Sequence, residues 1–218
     1  MMLQSPSHCR HLGSVRQVLL VIGKAASGHG LAVFNKRQAM TSSYCLFETA
    51  LGAGGVAWGE AGITGVQLPE PDARTIHARL RRRFPAATES RPTPDVQAAV
   101  EAMAALLRGE AVDLSMVRLD MARVPEFARR VYGVARTIRA GETLTYGQIA
   151  SRLGEPPQMA RDVGQALARN PYPIIVPCHR VLAADGKLGG FSAAGGVATK
   201  QRLLDIEHAN VAWQLPLA

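Results

Sequence analysis

No apolar run in this chain approaches the ~20 residues that a helix needs to cross a bilayer. The stretch Val18 to Ile22 is shorter than a secretory core, and no clear cleavage site follows it, so a cytoplasmic protein without a membrane span is expected. Cysteine is scarce: Cys9, Cys45 and Cys178 are the only three in 218 residues, too few for a disulfide framework without one left over, and reduced thiols are expected. Aromatic residues make up only 5%. Acidic residues are missing altogether from positions 1–43, which hold five of the 25 Lys and Arg; the remainder carries 20 basic and 17 acidic side chains. The net charge of +8 is therefore concentrated in a segment of weak periodicity, read as a disordered or non-native basic extension. The body alone is weak ground for a nucleic-acid partner. His8, Cys9, His11 and His29 match no standard zinc spacing, and no metal or cofactor is expected.

What is present is a globular composition, 47% hydrophobic, with enough residues for one large domain or two small ones. Tyr44 to Leu51, Gly54 to Gly59 and Ile63 to Leu68 are short strand-like runs separated by Gly-rich breaks, predicting a small antiparallel meander. Asp72 to Phe84 predicts a helix with Ile76 and Leu80 four apart; its Arg79, Arg81, Arg82 and Arg83 read as a solvated face. Pro94 to Arg108 predicts a second helix, with Val96, Val100, Met103 and Leu107 on one stripe and Gly109 as its stop. Residues 110–123 read as a linker ending in an extended stretch.

From Val124 the pattern turns helical. Pro125 suits a first turn, and Phe127, Val131, Val134 and Ile138 form an apolar stripe. Thr145-Tyr146-Gly147-Gln148 is a capping box opening a helix that Gly154 stops. After Pro156 and Pro157, Met159 to Arg169 predicts another helix, and the pair forms a helix-turn-helix candidate. The second helix is rich in Gly and Ala, whereas a major-groove reading helix needs long polar side chains. Small residues bring the backbone close to its partner, which suits a narrower groove or tight helix packing through Gly164.

The tetrad Pro177-Cys178-His179-Arg180 carries the chemistry. It follows the apolar run Asn170 to Val176, which reads as a buried strand-like segment. Neighbouring side chains on an extended backbone face opposite ways, so His179 reaches Cys178 only if the chain bends there. Taken alone, the pair leaves open a buried cysteine acting as a small hydrophobe.

With the motifs around it, the chain resembles the O6-alkylguanine-DNA alkyltransferases, also called methylated-DNA–protein-cysteine methyltransferases. The resemblance covers about Tyr44 to Ala209. It runs through Gly141-Glu142-Thr143-x-Thr145-Tyr146, Ala160-Arg161-x-Val163-Gly164, Asn170-Pro171, Ile175-Val176-Pro177-Cys178-His179-Arg180-Val181, Lys200 and Leu203-Leu204-x-x-Glu207. It implies an α+β fold: a small RNase-H-like α/β domain over 44–122, then a mainly helical domain over 123–210 with a winged-helix-like helix-turn-helix. Residues 1–43 and 211–218 are left as extension and tail. It implies a monomer that binds double-stranded DNA in the minor groove and flips out an O6-alkylguanine, as chemistry on a stacked base requires.

The resemblance also assigns roles. Cys178 is the alkyl acceptor, His179 its base through a water, Glu207 the carboxylate that steadies the histidine, and Tyr146 the donor to the leaving guanine. Arg161 is the finger filling the vacated stack, with Thr145, Gln148, Ala160, Gly164 and Arg180 beside it at the DNA. Asn170 braces the active-site turn, and Pro173, Val176, Phe191, Ser192 and Lys200 form the pocket. The chain departs from the family pattern between Gly189 and Gly196, where Phe191 stands in place of a Tyr. Two other readings stay open: an alkylguanine sensor that transfers nothing, and a thiol hydrolase that turns over. With three cysteines there is no four-cysteine zinc module, and a transcription-activating fusion is not expected.

Overall fold

The computed structural model describes residues 42–209. Residues 1–41, with His8, Cys9, His11 and His29, and the 211–218 tail lie outside the described residues. The first half is a four-stranded sheet with two helices. Strands β1 (Ser43–Thr49), β2 (Gly52–Gly59) and β3 (Gly62–Glu70) pair antiparallel in sequence, as the Gly-punctuated runs predict. Helix α1 (Ala73–Arg83) follows, capped by the Asp72 carboxylate, which accepts from the amides of Arg74 and Thr75. Strand β4 (Thr88–Glu89) then returns parallel to β1, giving the order β3-β2-β1-β4. A two-residue strand has no periodicity to read, and the sequence does not announce it.

Glycine in β2 decides how close α1 can lie. A Cβ on Gly55 would sit 2.5 Å from Leu80 Cδ1, so only the missing side chain lets the buried Leu80 reach the sheet. Helix α2 (Pro94–Leu106) buries Val96, Val100 and Met103, and Gly109 turns away at a positive φ of 89°. The expected linker is not a free tether. Ile63 donates to Arg118 O at 2.9 Å and accepts from the Asp120 amide at 2.8 Å, so this segment runs along the edge of β3.

Helix α3 (Glu126–Ala135) begins after Pro125, but its buried face is Ala128, Val131, Tyr132 and Ala135; Phe127 and Val134 are only partly covered. The stripe read from sequence is rotated because Tyr132 lies 1% exposed, its hydroxyl satisfied by Ala166 O at 2.9 Å. Strand β5 (Leu144–Thr145) leads into α4 (Tyr146–Arg152) through the capping box, with both reciprocal bonds formed. A one-turn 3₁₀ helix (Pro157–Met159) leads into α5 (Ala160–Ala168). Strand β6 (Val181–Leu182) pairs parallel with β5, and α6 (Gly196–Ile206) closes the described chain. One apolar cluster runs through both halves, from Cys45, Val56 and Met103 to Val131, Ile149 and Val176.

The segment Asn170 to Val176 corrects the strand reading. It is buried but turned: Val176 N donates back to Tyr172 O at 2.8 Å, and Ile174 has a φ of 76°. A β-branched residue rarely adopts that conformation, and it costs on the order of 1–3 kcal/mol, tolerated where packing over-determines it. A short apolar run cannot distinguish a buried strand from a buried turn.

Candidate active site

The chain bends where the sequence argument needs it to bend. Pro177 has φ −79° and ψ 67°, an inverse γ-turn in which Cys178 N donates to Val176 O at 2.8 Å. Residues Cys178–Arg180 then form one 3₁₀ turn. Asn170 braces this bend from both sides: its Nδ2 donates to the same Val176 O at 2.8 Å, and its Oδ1 accepts from Tyr172 N at 2.9 Å. Thus Val176, expected in the pocket, is fully buried under the turn and acts through its carbonyl. Pro173, also expected there, does not line the cleft around Cys178.

That cleft holds about 480 Å³ and is lined by Tyr146, Arg161, Gly164, Cys178, Phe191 and Ser192 from the expected set. Gln165, Leu167, Ala168 and Gly190 line it too and were not foreseen. The signal was available, because Arg161, Gly164, Gln165 and Ala168 fall at i, i+3, i+4 and i+7 on one face of α5. A Cβ on Gly164 would meet only the Tyr146 ring, at 3.7 Å, so this glycine opens the cleft floor and does not serve helix packing. Ser192 points its hydroxyl at Ala168 O, 2.7 Å away, fastening the 189–196 loop to the end of α5. A larger cleft of about 660 Å³ lies behind the turn, against Pro177, Arg136 and Ile138, and Cys178 is not in its lining.

Behind Cys178 three ionisable side chains are buried together. His179 Nε2 lies 3.0 Å from Glu207 Oε1, with both side chains 1% exposed. Arg180 donates from Nε to Glu207 Oε2 at 2.8 Å and from Nη2 to Oε1 at 2.7 Å, and its Nη1 donates to Ile138 O. Arg180, expected at the DNA, is therefore only 6% exposed and spent on Glu207. A bidentate guanidinium is the donor set a buried carboxylate needs to stay ionised. Burial pushes the Glu207 carboxyl up, but the bonds from His179 and Arg180 outweigh this and hold it at about 2. An ionised carboxylate can only accept, so His179 carries its proton on Nε2. In the neutral ring Nδ1 is then a free acceptor. Burial also holds His179 below its ordinary range, against the pull of Glu207, so the ring is neutral at pH 7.

Cys178 is not a standing thiolate. Burial pushes its thiol up, opposed by the Asn170 amide and by Lys200. The proton must leave during reaction, which requires a base. Lys200 lies beneath the cleft, not in its lining: fully buried, it donates to Val181 O at 2.5 Å and to Leu188 O, and burial holds it at about 8. Its ammonium is 5.8 Å from the centre of the Tyr146 ring, fixing that ring over the cleft. Burial, then Cys178, raises the Tyr146 phenol, which keeps it protonated and a donor. Thr145 and Gln148 spend their polar groups on the cap, at 3.1 and 2.7 Å, and only Gln148 is exposed. Ala160 is partly covered at the start of α5, next to the exposed Arg161 on the cleft rim. Among the described residues no cluster of His, Cys, Asp and Glu could hold a metal ion, and no helix is long and apolar enough to cross a membrane.

Residues 126–209 match the family described as 6-O-methylguanine DNA methyltransferase, DNA binding domain. The chain is 35% identical over 160 residues to a methylated-DNA–protein-cysteine methyltransferase of Methanothermobacter thermautotrophicus, covering 73% of this chain and 82% of that one. It is 37% identical over 167 residues to the bifunctional transcriptional activator/DNA repair enzyme Ada of Escherichia coli, covering 77% of this chain but 46% of Ada. The fold superposes on the Mycobacterium tuberculosis OGT crystallised in complex with DNA, with a TM-score of 0.61 and 34% identity over 76% of this chain and 92% of that one.

Proposed function

This chain belongs to the methylated-DNA–protein-cysteine methyltransferases, which repair DNA by direct transfer of an alkyl group onto their own cysteine, and we propose that Cys178 is the acceptor. The observation that carries the reading is the cleft, which joins the Cys178 thiol to the Tyr146 hydroxyl and the Arg161 guanidinium, with the buried His179–Glu207 pair behind. In the step, Cys178 Sγ attacks the alkyl carbon on guanine O6; the S–C bond forms and the C–O6 bond breaks. The thiol proton passes to His179 Nδ1 through a water, and Glu207 stabilises the imidazolium that results. The Tyr146 hydroxyl donates a hydrogen bond to the guanine as it departs; the guanine takes up one proton and the imidazolium returns one to water, so the step leaves both neutral. The alkylated cysteine has no route back, so each molecule acts once.

The substrate in this reading is O6-alkylguanine in double-stranded DNA, entered from the minor groove by the Gly/Ala face of α5. Arg161 occupies the space the guanine leaves. The helices α4 and α5 with the turn between them form a winged-helix-like helix-turn-helix. The order β3-β2-β1-β4, with β4 parallel to β1, supports an RNase-H-like first domain over 44–122, packed on a second over 123–210 through the shared core. The protein acts as a cytoplasmic monomer.

Intact-protein mass spectrometry after incubation with DNA containing O6-methylguanine tests the reading. One methyl mass on Cys178 and then inactivity is expected. Methylation at Cys45, many turnovers per molecule, or tight binding with no transfer would overturn it.

A further inference from the structure

The free edge of β3 is not free at its centre. In the order β3-β2-β1-β4, β3 is an outer strand, and outer strands leave amides and carbonyls needing partners. Val66 N donates to Pro171 O at 2.9 Å. Arg83, the last residue of α1, then bridges the same two backbones: Nη1 donates to Val66 O at 3.0 Å and Nη2 to Pro171 O at 3.1 Å. Pro171 O thus receives two donors, one for each lone pair. The site makes room for this fork. A Cβ on Gly65 would meet the Phe84 ring at 2.5 Å and Arg83 Nη2 at 3.1 Å. The guanidinium carbon stands 5.1 Å from the centre of the Phe84 ring, which steadies it. Arg83 is exposed, as the sequence expects of a solvated face, and its charged end also spans the two halves of the chain.

Pro171 matters because of its neighbour. Asn170, one residue earlier, makes the two bonds that brace the bend before Cys178. Resting on the reading of Cys178 as acceptor, we propose that Arg83 is a positioning residue for alkyl transfer. Its fork locks the edge of the first-half sheet to Pro171, and through Pro171 and Asn170 it holds the turn that presents the thiol. Arg83 touches neither substrate nor thiol. The first half of the molecule therefore contributes to the chemistry through the Val66 amide and the Arg83 guanidinium.

The test compares wild type, Arg83→Met and Arg83→Lys in the full chain, by single-turnover transfer from duplex O6-methylguanine and from free O6-benzylguanine. A displaced turn slows both substrates by the same factor, between about tenfold and a hundredfold, because misplacement of a reacting group costs that much. DNA dissociation constants stay unchanged. Arg83→Lys, which keeps the charge but not the fork, falls between wild type and Arg83→Met on both substrates. Should Arg83→Met melt below the assay temperature, the Lys variant alone decides, with equal slowing on both substrates expected. Loss confined to duplex DNA would make Arg83 a phosphate contact and overturn the proposal, as would wild-type rates in both variants. Peptide mapping of the alkylated wild type separates the two questions: alkylation away from Cys178 overturns the reading of the site, whereas alkylation at Cys178 with unaffected Arg83 variants overturns the clamp alone.

Discussion

Glu207 and Arg180 are the residues whose roles depend most on each other. A lone buried carboxylate would take up a proton, and a lone buried guanidinium would be strongly destabilising. Together they leave a fixed negative charge beside His179. Two consequences follow for the rate. The neutral His179 ring is the active form, and burial holds its pKa below the ordinary 6.5, so transfer stays level through neutral pH and falls only below 6.5. Glu207→Gln removes the charge that favours the imidazolium. Losing a charge-assisted bond costs roughly 1.5–3 kcal/mol, on the order of tenfold to a hundredfold in rate. The same change moves the acid limb to lower pH, since Glu207 raises His179. Single-turnover rates from pH 5 to 8, with melting temperatures alongside, check both effects. A folding defect would lower the plateau without moving the limb; a wild-type plateau and limb would sink the relay. Cysteine, histidine and glutamate were legible as a set only through the surrounding motifs. Arg180 was misassigned because a cation beside an active-site tetrad looks like a phosphate contact, and its partner lies 27 residues away.

At the scale of elements, legibility followed periodicity. The β1–β3 meander, α1, α2 and the Thr145 cap all carry local signals that tertiary packing reinforces. The Asn170 to Val176 turn carries a misleading one, since β-branched residues favour strands and only the surrounding structure forces Ile174 to a positive φ. The 189–196 loop has no period at all, yet it brings Phe191 and Ser192 to the cleft through the bond from Ser192 to Ala168 O. Helix α5 is the element whose function can be separated from its stability. Arg161 is exposed on the cleft rim, so Arg161→Ala removes no buried contact and should leave the melting temperature unchanged. Repair of duplex lesions should fall far more than reaction with free O6-benzylguanine, which needs no flipping. Equal losses on the two substrates would assign Arg161 to holding the cleft together. This pattern differs from the equal slowing of both substrates expected for Arg83, so the pair of variants divides binding of the flipped nucleotide from presentation of the thiol.

For the whole molecule the question is how a chain with few base-reading side chains on α5 finds DNA at all. Phosphate contacts supply affinity without regard to sequence, and each one neutralised adds about 0.9 to the steepness with which binding falls as salt rises. The charge is unevenly placed for this purpose: residues 1–41 carry five cations and no acid, while the rest of the chain is nearly balanced. Deleting residues 1–41 should therefore weaken binding to undamaged duplex and flatten its salt dependence. It should leave the transfer rate at saturating DNA unchanged, because every group assigned to the chemistry or to positioning the thiol lies between Val66 and Glu207. Binding isotherms across a salt series, on two unrelated duplexes, check this in the full chain and the deletion. The two duplexes should bind alike. A strong preference for one of them would mean that side chains read bases, against the Gly/Ala composition of α5. An unchanged salt slope in the deletion would place the phosphate contacts on the body, leaving its exposed arginines, Arg161 first among them, to carry the affinity.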